Sequence, residues 1–335
     1  VMKLKRLDEQ VIVITGASSG IGLTTARMAA KKGARVVLAA RDEESLQRAV
    51  SDIRDEGGEA VYVVADVSEM DEVRDVAAAA LREYGGFDTW VNDAGVSIYG
   101  TIDNIPLEDA RRLFEVNFWG VVYGSLIAVE HLRERGGVLI NIGSVASVRA
   151  LPVQGYYSAS KQAVKGFTDA LRMELQKEGA PIAVSLIKPS GIATPFGEHA
   201  KNYMEGAEPN LPPPVYAPEV VARTILHCAQ KPAREITVGA GGRVLTAIGN
   251  LMPRTMDRVM ESVIWEQQKW RREDGDGHES ALYEPISGSG RQYGEVPRHI
   301  WRTSMYTRAI LHPGMMLLGI AAVGLGIALG SYLRS

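Results

Sequence analysis

Cysteine is almost absent from this chain: Cys228 is the only one in 335 residues. One thiol excludes an internal disulfide and a thiolate-rich metal site, and it suits a reducing compartment. Charge of one sign is lacking too. The 37 basic residues face 40 acidic ones, a net charge of -3, so no global field exists to recruit nucleic acid. The histidines show no ligand spacing, and no metal is expected. Residues 1–10 are charged and lack the apolar centre of a secretory signal, so the main domain is expected to start in the cytosol.

What is present is a repeating order. Single cores mostly stop growing near ~250 residues, so one large domain with an appendage is expected. From residue 11 to about 239, short β-branched runs alternate with longer stretches of helical periodicity. The runs at 11–15, 36–40, 60–64, 89–92, 138–142, 182–187 and 235–238 predict seven strands. Crossover helices such as 19–32 and 42–56 would join them in parallel, giving an α/β fold: a doubly wound sheet with helices on both faces. The domain is expected over 1–242, with a helical extension over 243–271 that breaks at Pro253 and a polar, Gly-rich flexible linker over 272–298. Residues 299–335 would form an amphipathic lead-in and a transmembrane helix. Residues 191–216 are dense in Gly, Pro and Asn, including Pro212, Pro213 and Pro214, and are expected to form a substrate lid.

Residues 313–333 carry no charge, and Ser331 and Tyr332 are their only side chains of appreciable polarity. That length suffices to cross a ~30 Å hydrocarbon layer as a helix, and Ala322, Gly326 and Gly330 would leave a smooth strip for another helix. A buried terminal helix is the alternative; a membrane span is favoured. Arg298, Arg302 and Arg308 precede the run and only Arg334 follows it, so the main domain is expected on the cytoplasmic side. Trp301 and Tyr306 could lie at the headgroup level.

Three local patterns carry chemistry. Thr15-Gly16-Ala17-Ser18-Ser19-Gly20-Ile21-Gly22 joins the first strand to the first helix, where glycines let the backbone approach a pyrophosphate and the helix end supplies N–H groups. Arg41 follows the second strand, and its guanidinium suits a phosphate through paired hydrogen bonds; a solvated loop cation is the alternative. Tyr157 and Lys161 are four apart on a predicted helix and so share a face. An adjacent cation lowers a phenol pKa of ~10 by ~1–3 units, although an amphipathic pair with a snorkelling lysine has the same spacing.

Over residues 7 to 239 the chain resembles the short-chain dehydrogenase/reductase family, whose signature TGxxxGxG stands at the octapeptide. The resemblance implies a Rossmann-type fold and an enzyme that moves a hydride between nicotinamide and an alcohol or carbonyl. It places Gly16, Ser18, Ser19, Gly20, Ile21 and Gly22 around the pyrophosphate, and Asp66 and Val67 at the adenine; Asp66 could equally cap the next helix. Asn92, Ala94 and Gly95 correspond to the family's NNAG, with Asp93 replacing its second asparagine. The acidic residue that closes the second strand in NAD-binding members is missing, and with Arg41 next in the chain this implies a preference for NADP(H) over NAD(H). Ser144, thirteen positions before Tyr157, would donate to the developing alkoxide. Tyr157 would exchange the proton, Lys161 would lower the phenol pKa and bind the ribose, and Asn117 would hold a water behind Lys161. Pro189, Gly191, Ile192 and Thr194 match the PG motif that fixes the carboxamide. Tyr156 is expected to line the pocket. Phe196, Tyr203, Met204 and Tyr216 around the lid suggest a lipophilic substrate of steroid, retinoid or fatty-acyl type, and the family implies a homo-oligomer. The alternative from another class is a non-catalytic nucleotide-binding scaffold or redox sensor at a membrane.

Overall fold

The structure is a computed structural model that describes residues 4–243, 251–270 and 279–311. Seven parallel strands form its centre: β1 (Val11–Thr15), β2 (Arg35–Ala40), β3 (Glu59–Val64), β4 (Thr89–Asn92), β5 (Gly137–Ile142), β6 (Ile182–Pro189) and β7 (Glu235–Val238). They lie in the order β7-β6-β5-β4-β1-β2-β3. The expected seven-stranded parallel sheet is therefore the observed one, with helices on both faces. Strand order reverses between β1 and β4, and at such a reversal the connections leave in opposite directions and open a crevice beyond the strands' carboxyl ends.

Alternation along each strand builds two cores. Ile12, Ile14, Val36 and Leu38 face one way, against α1 (Gly20–Ala30), α2 (Glu43–Asp55) and α7 (Pro218–Cys228). Val11, Val13, Val37 and Ala39 face the other, against α3 (Met70–Tyr84), α5 (Gly120–Arg135) and α6 (Gly155–Glu178). Both faces are covered, so the strands read as nearly continuous apolar runs. Asp42 starts α2 by accepting a hydrogen bond from the Ser45 N–H at 3.2 Å, as an N-cap carboxylate does.

A five-residue π-turn, Glu115–Trp119, joins α4 (Leu107–Phe114) to α5. Together they form the one helix among the described residues that is long and apolar enough to cross a membrane; 61% of its most apolar stretch is buried, as in a core helix. The expected membrane segment at 313–333 lies outside the described residues.

The C-terminal region departs from expectation. A helix does begin at Pro253, with proline at its first position, and it continues through a π-turn to Gln267. The expected flexible linker, in its described part 279–298, is instead docked on the domain: Leu282 is fully buried and belongs to the same core as Val37 and Ala39. Ile300 and Trp301 pair in parallel with Val215 and Tyr216. The last described helix, α8 (Met305–Leu311), then packs Leu311 into the opposite core.

Candidate active site

The crevice at the strand-order reversal is a cleft with a cavity of about 360 Å³. It runs from Arg41 and Asp66 at one end, past the glycine turn, to Tyr157, Ser144 and Lys161. The turn fits tightly because it has no side chains to accommodate. Gly16 has φ of +72°, and a Cβ there would lie 2.7 Å from the Ala94 Cα; one at Gly22 would overlap the Gly16 carbonyl oxygen. Such a close-packed turn at a helix N-terminus leaves room for backbone to meet phosphate. Ser18, Ser19, Gly20 and Ile21 line the same wall, as do Val67, Ala94, Gly95, Pro189, Gly191, Ile192 and Thr194.

Two residues expected at the nucleotide point elsewhere. Asn92 is buried among Trp90, Ser125 and Asn141, accepting from the indole N–H at 2.8 Å and donating to the Asn141 Oδ1 at 2.9 Å. It ties β4 to β5 and α5 and does not line the cleft. Gly22 also lies behind the lining, where it permits the turn to close.

At the chemical end, α6 presents Tyr157 and Lys161 on one face, both nearly fully buried. The Lys161 ammonium donates to the Ile142 carbonyl at 3.0 Å and lies 5.9 Å from the centre of the Tyr157 ring. Ser144 caps the short turn after β5, accepting from the Ala146 N–H at 3.1 Å, and its hydroxyl hydrogen-bonds Tyr157. Asn117 sits in the π-turn, a form frequent at functional sites. Its amide accepts from the Val96 N–H at 2.8 Å and donates to the Val96 carbonyl at 2.9 Å and to Ser160 at 3.2 Å. The side chain thus holds the loop after β4 in place behind Lys161.

Electrostatics differ from the sequence reading in one respect. Burial pushes the Tyr157 phenol up to about 12, against the hydrogen bond with Ser144. The expected lowering by Lys161 is absent in the chain alone, because burial weakens the ammonium too: it is pushed down to about 8, with Asp93 pulling it back up. Asp93, the departure from NNAG, is pushed up to about 7 by burial, against the pull of Lys161 and a hydrogen bond from the Gly22 N–H. A half-buried carboxyl and a buried ammonium therefore share this wall, and their protons are coupled.

At the other end, burial alone would raise the Asp66 carboxyl, but the Ser68 N–H, the Ser68 hydroxyl and the Arg112 guanidinium hold it below the ordinary range. Arg41 lies 3.8 Å from Asp66. Of the expected lid residues, Phe196 lines the cleft, its ring 5.8 Å from that of Tyr157. Tyr203 instead donates to Asp109 at 2.5 Å, Tyr216 accepts from the Ala240 N–H at 3.2 Å, and Met204 packs near Tyr99. Tyr156 also falls outside the cleft; its hydroxyl reaches the Ile102 carbonyl. Leu151, Leu211, Ile264 and Gln268, unremarked in the sequence, line the cleft. Ile264 comes from the helix after Pro253 and Gln268 from the residue just past its end, and no local pattern signals their approach. Among the described residues no group of three acidic, histidine or cysteine side chains could hold a metal.

This arrangement of sheet, glycine turn and Ser-Tyr-Lys wall has known relatives. Residues 10–204 match the short chain dehydrogenase family, and the chain belongs to it. It is 44% identical over 315 residues to the uncharacterized oxidoreductase YxnA of Bacillus subtilis, covering 93% of this chain and 88% of that one. It is 35% identical over 261 residues to 11-beta-hydroxysteroid dehydrogenase A of Sesamum indicum, covering 75% and 74%. Among solved structures it resembles a short chain dehydrogenase/reductase of Burkholderia phymatum in complex with NAD, with a TM-score of 0.65, 27% identity and coverage of 82% and 100%. The protein is thus an oxidoreductase of the short-chain family, whose members bind a nicotinamide dinucleotide.

Proposed function

We propose that the protein transfers a hydride between NADP(H) and a lipophilic alcohol or carbonyl, with Tyr157 as general acid and base. The observation that carries this reading is the meeting of Ser144, Tyr157 and Lys161 on the wall of one cleft that continues to the glycine turn. The bound nicotinamide would supply or accept the hydride. The protein's own part is then the proton: Tyr157 Oη gives it to the substrate oxygen in reduction and takes it in oxidation, while the Ser144 hydroxyl donates to that oxygen. A neutral phenol is well suited to give a proton, and burial holds the Tyr157 phenol in that form against the hydrogen bond with Ser144.

Arg41 supports NADP(H), since a guanidinium beside the adenosine ribose suits a 2′-phosphate. Leu151, Leu211 and Ile264 in the cleft, with Phe196 beside Tyr157, favour an apolar substrate, and the hydroxysteroid dehydrogenase likeness points to steroid-type alcohols, beside retinoid or fatty-acyl carbonyls. The apolar run at 313–333 supports attachment to a membrane with the catalytic domain on the cytoplasmic side, where such substrates concentrate. The family resemblance supports a homo-oligomer.

The test is turnover of a panel of lipophilic ketones and alcohols with NADP(H) and NAD(H). The reading requires activity that favours NADP(H); a protein that binds the dinucleotides but reduces and oxidises none of the panel argues for the non-catalytic scaffold.

A further inference from the structure

Residues 279–301 lie beyond the stretch that matches the family, and they form a strap across the adenosine end of the cleft. Leu282 anchors it in the core with no exposed surface. On one side of the anchor, the Arg41 guanidinium donates to the Tyr283 carbonyl at 2.6 Å and also to that of Ala281, and Arg112 donates to the Leu282 carbonyl at 3.3 Å. On the other, the Tyr283 hydroxyl donates to Asp109 at 2.7 Å. Farther along, the Gly288 N–H meets the Asp42 carboxylate at 3.4 Å and the Gly20 N–H donates to the Arg291 carbonyl at 2.9 Å. The strap is therefore fastened to the glycine turn, to the loop after β2 and to the Asp66–Arg112 pair.

Those are the elements that frame the adenosine half of a dinucleotide. Ala281, Pro285, Ile286 and Ser289 face the cleft, which stays continuous from Arg41 to Tyr157 with the strap in place. A segment that plugged the site would interrupt it; this one roofs it. Arg41 has five N–H donors, and the carbonyls do not use them all, so one guanidinium can hold the strap and meet a ligand at once.

We propose that this strap is a working wall of the nucleotide site and must be docked for the adenosine half of a dinucleotide to be held. The inference rests on reading the cleft as the dinucleotide site. Once docked, the strap removes the bound nucleoside from water on a side that the sheet alone leaves open, and it places Arg41 by accepting from its guanidinium at the Ala281, Leu282 and Tyr283 carbonyls.

Leu282 is the residue to change, because it anchors the strap without lining the cleft. In the full chain, Leu282→Asp puts a charge in the core and undocks the strap. Binding of ADP, NADH and NADPH is measured by calorimetry. The expected result is at least a tenfold rise in Kd for ADP and both dinucleotides, about 1.4 kcal/mol. Unchanged or tighter binding overturns the inference, tighter binding identifying the strap as a plug. Hydrogen exchange on the unaltered protein decides independently, and does so even if the variant fails to fold. Saturating NADPH or NADH should slow exchange at 281–291, whereas unchanged or faster exchange there overturns it. A wild-type chain that binds none of the three ligands removes both the nucleotide-site reading and the strap. One that binds them but is indifferent to the strap removes the strap alone.

Discussion

Replacing Asp93 by asparagine tests the electrostatics of the cleft. Asp93 is half-buried in the cleft wall, and desolvation pushes its carboxyl from its ordinary 3.8 to about 7. Between those values the folded protein keeps a proton that the unfolded chain has lost. The folded state then binds more protons, so stability falls as pH rises through that window. At 1.36 kcal/mol per unit the whole displacement is worth about 4 kcal/mol. Screening by cleft water reduces it, leaving about 2 kcal/mol of decline between roughly pH 4 and pH 7. Lys161, lowered from 10.5 to about 8, stays mostly protonated in both states across that range, so it adds only a nearly constant penalty there. Urea denaturation of wild type and Asp93→Asn at the two pH values is the assay. The variant should lack the decline. It should also carry a Lys161 whose pKa is lower still, since Asp93 supports its charge, moving any alkaline limb of the rate profile downward. An identical pH dependence in both proteins refutes the coupling.

Other substitutions reach other parts of the account. Gly16→Ala meets the Ala94 Cα and an unfavourable positive φ, so dinucleotide affinity should fall at least tenfold in a fluorescence titration of NADPH. Arg41→Ala should weaken 2′,5′-ADP more than ADP by about 1.5–3 kcal/mol, the worth of a charge-assisted bond; equal losses would leave Arg41 a latch for the strap and nothing more. Leu139→Ala, fully buried in the central strand β5, should cost about 2–5 kcal/mol by denaturant titration without changing the ratio of NADP(H) to NAD(H) binding.

The sheet was legible because strands buried on both faces leave unbroken apolar runs, and every one of the seven appears as a run in the sequence. The glycine turn and the Tyr157–Lys161 pair were legible because their spacing is local. The strap was not. Its composition, rich in Ser and Gly near 287–290, reads as a linker, and what docks it is one leucine and a row of backbone carbonyls, which leave no mark in a sequence. Asn92 was misplaced for a related reason: its motif lies beside the cleft, but its amide turns inward to Asn141 and Ser125. The phenol pKa was misjudged because helical spacing reports the neighbouring ammonium and says nothing of the burial that weakens both groups.

The central claim is that Tyr157 transfers the proton to or from a substrate oxygen, and Tyr157→Phe examines it most directly. Turnover of a responsive ketone with NADPH should fall by about 10²–10⁴-fold, the usual worth of a general acid, while the Kd for NADPH changes little. A variant that retains wild-type turnover would contradict the assignment of this cleft's chemistry.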